Sequence, residues 1–393
     1  MHYAIIGNSL LSVKVAQEIR QADQEAEISL FCPEEVLPYY RHLTASLLLD
    51  AKIDQIACEA EDFYATHRIK VVLDKKITKV HPKRKRILTE DKEQIAFDVL
   101  VIEDGGEFVF ADIKGAQKQG VFHLKTAKDA QALVSYLGLV EIAIIEVNTI
   151  VALQAAYYMR KLNKDVIIVV PSGHLLADLL DKDVADCLVE QLQKTGIRFI
   201  FNNAIVEILG DADMKAIRLK TGKVLESQLV VLSQAEQNLN LLNVEDLSKE
   251  ETDVCIKYED VYCVKDLKSV LDRGVWEDSL IYQYASAGQG KNIVETMLSQ
   301  PLTAILPALE RSFDIGDLSV SLLGLGKKSD DMTAYIKADY KVNTYKKVFL
   351  QDGIVKGAAL VNNQKDVAGL LQLITEQRNI KDMGMAIFEG EGA

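Results

Sequence analysis

One pattern constrains this chain more than any other: a strand, a tight turn and a helix that occur twice. It appears first as "YAIIGNSLLSVKVAQEI" at residues 3–19, and again within "VEIAIIEVNTIVALQAAYYMRKLNKDVIIVV" at residues 140–170. In the first copy Leu10, Val13, Val15, Ala16 and Ile19 share one helical face, and a second apolar strand, "AEISLFC", follows. In the second copy that closing strand is "DVIIVV". Strands joined by a helix pair in parallel and need both sheet faces covered, so two such copies predict two doubly wound α/β modules. At 393 residues the chain has room for both and for a further unit.

Between the copies the pattern predicts a long helical stretch over 42–67, then short strands at hairpin spacing in "IKVVL", "KITKVH", "RKRILTE" and "FDVLVIE". After the second copy it predicts a helix over 177–195 and the strand "IRFIF". From about residue 250 the regularity weakens, with a strand end in "DVYCVKD" and a helix over 286–299. The C-terminal part reads as a separate αβ unit, in which "YKKVFLQDGIVKGAALV" is a hairpin turning at Asp352 and Gly353, followed by a helix over 364–377. The tail "MGMAIFEGEGA" reads as frayed.

A net charge of -13 argues against a nucleic-acid surface, and the one basic cluster, "HPKRKR" at residues 81–86, reads as a solvated turn between strands. No apolar run reaches the roughly 18 residues a membrane span needs, and the chain enters a strand directly, so the expectation is a cytoplasmic protein without membrane contact. Cys32, Cys58, Cys187, Cys255 and Cys263 are scattered, with no close pair. That disfavours a metal site or a local dithiol and suggests buried, reduced thiols.

The turns carry the functional question. In a dinucleotide-binding unit the first glycine of GxGxxG makes the turn, the second admits the pyrophosphate and the third lets helix and strand pack closely. The phosphates then meet the helix N-terminus, where unpaired N–H groups favour an anion. In the first copy these positions read Gly7, Ser9 and Ser12: the turn survives, Ser9 crowds the phosphate while offering a hydroxyl donor, and Ser12 is small. In the second copy they read Val147, Thr149 and Ala152, with Glu146 adding negative charge and Pro171 where an acid would hold a ribose. Two β-branched side chains are expected to stand where a cofactor should touch backbone, so NAD(P)H binding is not expected there.

The whole chain resembles the FAD-dependent pyridine nucleotide-disulfide oxidoreductase family. Within it, the likeness is to the branch of rubredoxin reductase, ferredoxin reductases and the flavin part of nitrite reductase. The resemblance rests on an ordered set: "LPYYR", "EAEDFYATHRIKVVLDKKITKVH", "FDVLVIEDGG", "GVFHLKTAKDA", "LLADLLDKDVADCLVEQLQKTGIRF", "VYCVKD", "QGKNIVETML" and "YKKVFLQDGIVKGAALV". It implies two Rossmann-like FAD/NAD(P)-binding domains and a small C-terminal αβ domain. The implied limits are 1–115 with 245–305 for a discontinuous FAD-binding-like domain, 116–244 for a degenerate NAD(P)-binding-like domain, 306–380 for the C-terminal domain and 381–393 for the tail. By the same resemblance Gly7 faces the FAD pyrophosphate, with Ser9 and Ser12 in the altered glycine positions, and Glu34 is the nearest match for the acid that holds the adenosine ribose. Arg41 lies in a flavin-adjacent motif, Gly105 is the surviving glycine of an ATG-type motif, and Asp266 accepts from the ribitol. His42 and Ser46 replace the family's proline and lysine, and Glu103 and Asp104 precede Gly105. In the second unit Leu232, Ser233 and Gln234 replace a further ATG-type motif, and Glu236 and Gln237 the Arg-Pro after it. Paired redox cysteines are absent, as in this branch, which passes electrons from flavin to a protein partner.

Three functions remain open at this point. One is a flavoprotein that keeps FAD and exchanges electrons with a redox partner protein. Another is a non-catalytic relative serving as a structural or regulatory subunit, suggested by the carboxylates of Glu103 and Asp104 beside a site for an anionic cofactor. The third is an NAD(P)H-dependent reductase of a small electron carrier. Self-association is compatible with all three. His67 and Arg68 read as a helix end, while Trp276, Tyr282, Tyr284, Tyr157 and Tyr158 read as packing groups.

Overall fold

The computed structural model describes residues 1–103, 107–110, 113–232, 235–238, 250–251, 255–264, 290–300, 310–325, 328–329, 331–339 and 343–380. The N-terminal copy forms as its periodicity predicts, with β1 (His2–Ile6), α1 (Leu10–Ala22) and β2 (Glu27–Phe31) in sequence. All five residues expected on the inner face of α1 are buried. The predicted 42–67 helix is broken instead into 3-10 turns at Arg41–Leu49 and Ile53–Ile56 and a short α2 (Glu61–Thr66). Asp50 takes a left-handed backbone (φ 63°) and stops the first turn. Ala45, Leu47, Leu48 and Ile56 are then free to enter a core shared with the second unit, a packing demand that overrides local helix propensity. His67 caps α2, its Nδ1 lying 2.9 Å from the Phe63 carbonyl oxygen.

The chain continues through β3 (Ile69–Val72), a ribbon of β4 (Ile77–His81), β5 (Arg86–Thr89) and β6 (Gln94–Ala96), and β7 (Val99–Ile102). The basic cluster is the exposed turn between β4 and β5. β8 (Glu107–Phe110) and β9 (Val121–Phe122) lead to α3 (Ala127–Leu137). The second copy then gives β10 (Ile142–Glu146), α4 (Ile150–Lys161), β11 (Asp165–Val170), α5 (Lys182–Lys194) and β12 (Arg198–Phe201). α5 starts five residues later than its pattern predicts. Leu176 has a positive φ of 48°, and Leu179 and Leu180 are buried in an irregular turn before Asp181 takes the N-cap position. An antiparallel ribbon absent from the sequence reading follows as β13 (Ile205–Gly210), β14 (Met214–Leu219) and β15 (Val224–Glu226), then β16 (Leu229–Val231) and β17 (Ala235–Asn238).

β18 (Glu250–Glu251), β19 (Cys255–Tyr258) and β20 (Val261–Val264) return to the first unit, giving a seven-stranded sheet ordered β18-β19-β20-β7-β1-β2-β3. The second unit is a five-stranded parallel sheet ordered β12-β11-β10-β16-β9, and β17 pairs with β8 as a two-stranded ribbon. α6 covers 290–297 among the described residues of the predicted 286–299 helix. The C-terminal part is an antiparallel sheet of β21 (Glu310–Ile315), β22 (Leu318–Gly324), β23 (Thr333–Asp339), β24 (Thr344–Gln351) and β25 (Ile354–Val361), with α7 (Val367–Glu376) packed on one face. Asp352 and Gly353 turn the predicted hairpin with φ of 52° and 80°, the positive values a two-residue loop needs. The tail 381–393 lies outside the described residues.

An ion cluster fastens this last sheet to the second unit. Lys347 Nζ lies 2.8 Å from Asp181 and Asp183 at the start of α5, and the Tyr345 hydroxyl donates to Asp183 at 2.9 Å. Burial alone would raise the Asp183 pKa, but the Lys347 ammonium and the Tyr345 hydroxyl outweigh it and hold the carboxyl below its ordinary 3.8. Burial also disfavours the Lys347 ammonium, yet its two carboxylate partners raise it above 10.5. The Asp183 contribution is therefore full above about pH 4 and is lost as pH falls through its depressed folded value; that of Lys347 is full below about pH 10 and is lost above its raised one. Lys347→Ala strands two partly buried carboxylates and is expected to cost about 2 kcal/mol in urea unfolding at pH 7. A change within about 0.5 kcal/mol would show that the cluster does not fasten the sheet.

Candidate functional site

Parallel pairing sets the geometry of the first turn. β1 lies between β2 and β7, with Ile6 in register with both Phe31 and Ile102, so Gly7, Cys32 and Glu103 leave the sheet at the same level. Two backbone bonds extend that register: Gly7 N donates to the Phe31 carbonyl at 3.1 Å and Glu103 N to the Ile6 carbonyl at 2.9 Å. This is the carboxyl end of the strands, where open α/β sheets bind ligands.

The start of α1 is closed by its own hydroxyls. Ser9 is the N-cap, and its Oγ accepts from Leu11 N at 3.1 Å. Ser9 N donates to Ser12 Oγ at 3.2 Å, and Ser12 Oγ donates to the Ser9 carbonyl at 2.7 Å. The sequence offered the Ser9 hydroxyl to a phosphate; in the structure it donates to Glu103 Oε1. A Cβ added to Gly7 would collide with Glu103 Oε2 and would lie 2.9 Å from Ser12 Cβ. Gly7 is thus needed for the close seat of a carboxylate as well as for the turn.

The remaining acid is engaged by protein groups as well. Glu34 accepts from Asn8 Nδ2 at 3.2 Å, and the Tyr39 hydroxyl lies 3.1 Å from both of its oxygens. Tyr39 in turn accepts from Ala127 N at the start of α3 at 2.9 Å, tying this corner to the second unit. Burial pushes the Cys32 thiol far above its usual range, with Glu103 and Glu34 adding to the rise and Arg41 opposing it, so these charges share one neighbourhood. Burial likewise makes Cys58 inert and pushes Cys263 up to about 12, as expected for structural thiols. His42 is buried, and desolvation takes its imidazole down to about 4, leaving it neutral at pH 7. Ser46 Oγ donates to the Leu43 carbonyl at 2.6 Å.

Of the candidate residues, Gly7, Ser9, Ser12, Glu34 and Arg41 gather around this turn. Gly105 and Asp266 lie outside the described residues, as do Asp104, Ser233, Gln234, Trp276, Tyr282 and Tyr284. Sequence reasoning missed Asn8 and Tyr39, whose roles depend on where Glu34 points. It set Glu103 beside the site without foreseeing that its side chain folds back over Gly7. A pyrophosphate does not fit this arrangement, because its place over the turn holds a carboxylate and the Ser9 hydroxyl is committed to it.

The second turn differs from expectation in detail. Val147 does not stand towards a ligand; it is 1% exposed and packs into a core with Val170, Leu175 and Leu179. Thr149 folds onto the helix, its Oγ1 accepting from Ala152 N at 3.2 Å as the N-cap of α4. Glu146 is buried at the end of β10 and Leu232 at the end of β16. Further along α4, Gln154 Nε2 donates to the Asp314 carbonyl at 2.8 Å and the Tyr157 hydroxyl to Asp317 at 3.1 Å. The Tyr157 ring fills the space where Gly316 has no Cβ, so Tyr157 is a packing group as expected. No group of three or more His, Cys, Asp or Glu residues among the described ones could hold a metal.

The family signature of pyridine nucleotide-disulphide oxidoreductases matches residues 1–253. The chain belongs to this family. It is 24% identical to the NADH oxidase of Methanocaldococcus jannaschii, over 93% of this chain and 88% of that protein. It is 23% identical to the assimilatory nitrate reductase electron transfer subunit of Bacillus subtilis, over 98% of this chain and 51% of that one. The chain therefore spans about half the length of the latter relative. A ferredoxin reductase from Rhodopseudomonas palustris shares the fold with a TM-score of 0.81 at 17% identity, covering 93% of this chain and 92% of that one. The two doubly wound units are those of the family.

Both turns are held by caps, and removing each should cost a separable amount. Ser9→Ala and Thr149→Ala are each expected to destabilise the protein by about 1 kcal/mol in urea unfolding. The double variant should lose about the sum, because the caps serve different helices.

Proposed function

We propose that this family member works without a bound dinucleotide, as a non-catalytic subunit that binds another protein. The observation that carries the reading is the Glu103 carboxylate seated over Gly7 and accepting from Ser9, in the place a cofactor phosphate would need. A free pyrophosphate would have to displace a carboxylate held by the chain itself, against the further negative charge of Glu34. The second turn supports the same reading for NAD(P)H, since Thr149, at the position of the glycine that would admit the pyrophosphate, already caps α4. A protein partner is in keeping with the electron transfer subunit named among the relatives, and the limits 1–115 with 245–305, 116–244 and 306–380 are the proposed domain organisation. The residues at the first turn do not fit FAD, so the proposed role involves no redox step at this site.

A second reading, a flavoprotein that keeps FAD and passes electrons to a partner, is favoured by one observation: Gly7, Ser9 and Ser12 keep the turn narrow and small. It requires Glu103 to leave. A visible absorption spectrum of the purified protein decides between them, taken before and after free FAD, then NADH, with dithionite as the control. The proposed function predicts no flavin bands as purified and none retained after FAD is added and desalted. Retained bands that bleach with dithionite alone would establish the second reading, and bleaching by NADH would restore an NAD(P)H-dependent reductase.

A further inference from the structure

We infer that Glu103 is a built-in substitute for the cofactor's phosphate: an anion supplied by the chain that closes the start of α1 and lets this unit fold without a ligand. The inference deepens the proposed function and rests on it. Three observations meet at one place. Strand register puts Glu103 beside Gly7, with Ile6 opposite Ile102 and Glu103 N bonded to the Ile6 carbonyl at 2.9 Å. The side chain then turns back over the glycine, where even a Cβ would collide with Oε2. Its other oxygen accepts from Ser9 Oγ, the hydroxyl that also accepts from Leu11 N at 3.1 Å and so relays the carboxylate to the first turn of the helix.

The physical logic follows from the helix start. Its unpaired N–H groups and dipole favour a negative charge, and a family member with bound cofactor meets that preference with phosphate. A tethered carboxylate meets it at an effective concentration of order millimolar or above, with no ligand to capture. One carboxylate carries less charge than a pyrophosphate, which suits a corner where Glu34 is already present. A side chain that merely filled space would do so as well without charge, and the small residue of an ATG-type motif would leave the turn open.

The test compares Glu103→Ala and Glu103→Gln with the wild type by thermal unfolding, alone and with ADP or inorganic pyrophosphate. Circular dichroism checks that each variant folds. Vacating the site should lower the melting temperature of Glu103→Ala by about 2 °C, and millimolar ADP or pyrophosphate should restore it. The wild type and Glu103→Gln, whose turns stay filled, should not respond. If Glu103→Ala fails to fold alone, recovery of the folded form on refolding with ADP supports the inference and no recovery overturns it. A Glu103→Ala protein as stable as the wild type, or less stable but unmoved by either anion, overturns the inference while leaving the proposed function standing. Stabilisation of the wild type by ADP overturns both.

Discussion

The parallel pairing of β1 with β7 is the constraint on which the rest of the site depends. It brings together two residues far apart in sequence, Gly7 and Glu103, as the first to leave adjacent strands. With glycine on one strand and a long acid on the other, the acid can lie across the turn, and Ser9 can donate to it while capping α1. A side chain at residue 7 would evict Glu103, and a small residue at 103 would leave the helix start facing an open cleft. Each part of the arrangement therefore requires the others.

The same economy marks the second unit. Thr149 satisfies the start of α4 from within, Val147 joins the core, and the far end of α4 is occupied by the C-terminal sheet through Gln154, Tyr157 and the Gly316 turn. Lys347 then fastens that sheet to α5 through Asp181 and Asp183. The hydroxyls of Ser9 and Thr149 at the two turns are both engaged in contacts within the protein. Tyr39 extends this across the two units, joining Glu34 of the first to the start of α3 near the second.

Much of this fold was legible in the sequence because its strands are apolar on both faces and its helices have one buried stripe. The strand "DVIIVV" at 165–170 and the Asp352–Gly353 turn appear where the pattern places them. The 42–67 segment misled because its leucines suit a helix and a broken turn alike, and only the shared core with α3 and α4 decides between them. The ribbon β13–β15 escaped because its strands are mixed in polarity. At the site, missing glycines could be counted, and Glu103 could be placed near the turn. What filled the gap could not be read, since the direction of one side chain depends on strand register and on a hydroxyl ninety-four residues away in sequence.

A crystal structure grown at neutral pH with a large excess of ADP would test the central claim most directly, because it locates the anion over Gly7. The account predicts the Glu103 carboxylate in that position, with Ser9 Oγ donating to it and no phosphate density at the start of α1. Phosphate density against Gly7 and Ser9, with Glu103 turned away, would contradict it and return the chain to the cofactor-binding members of its family.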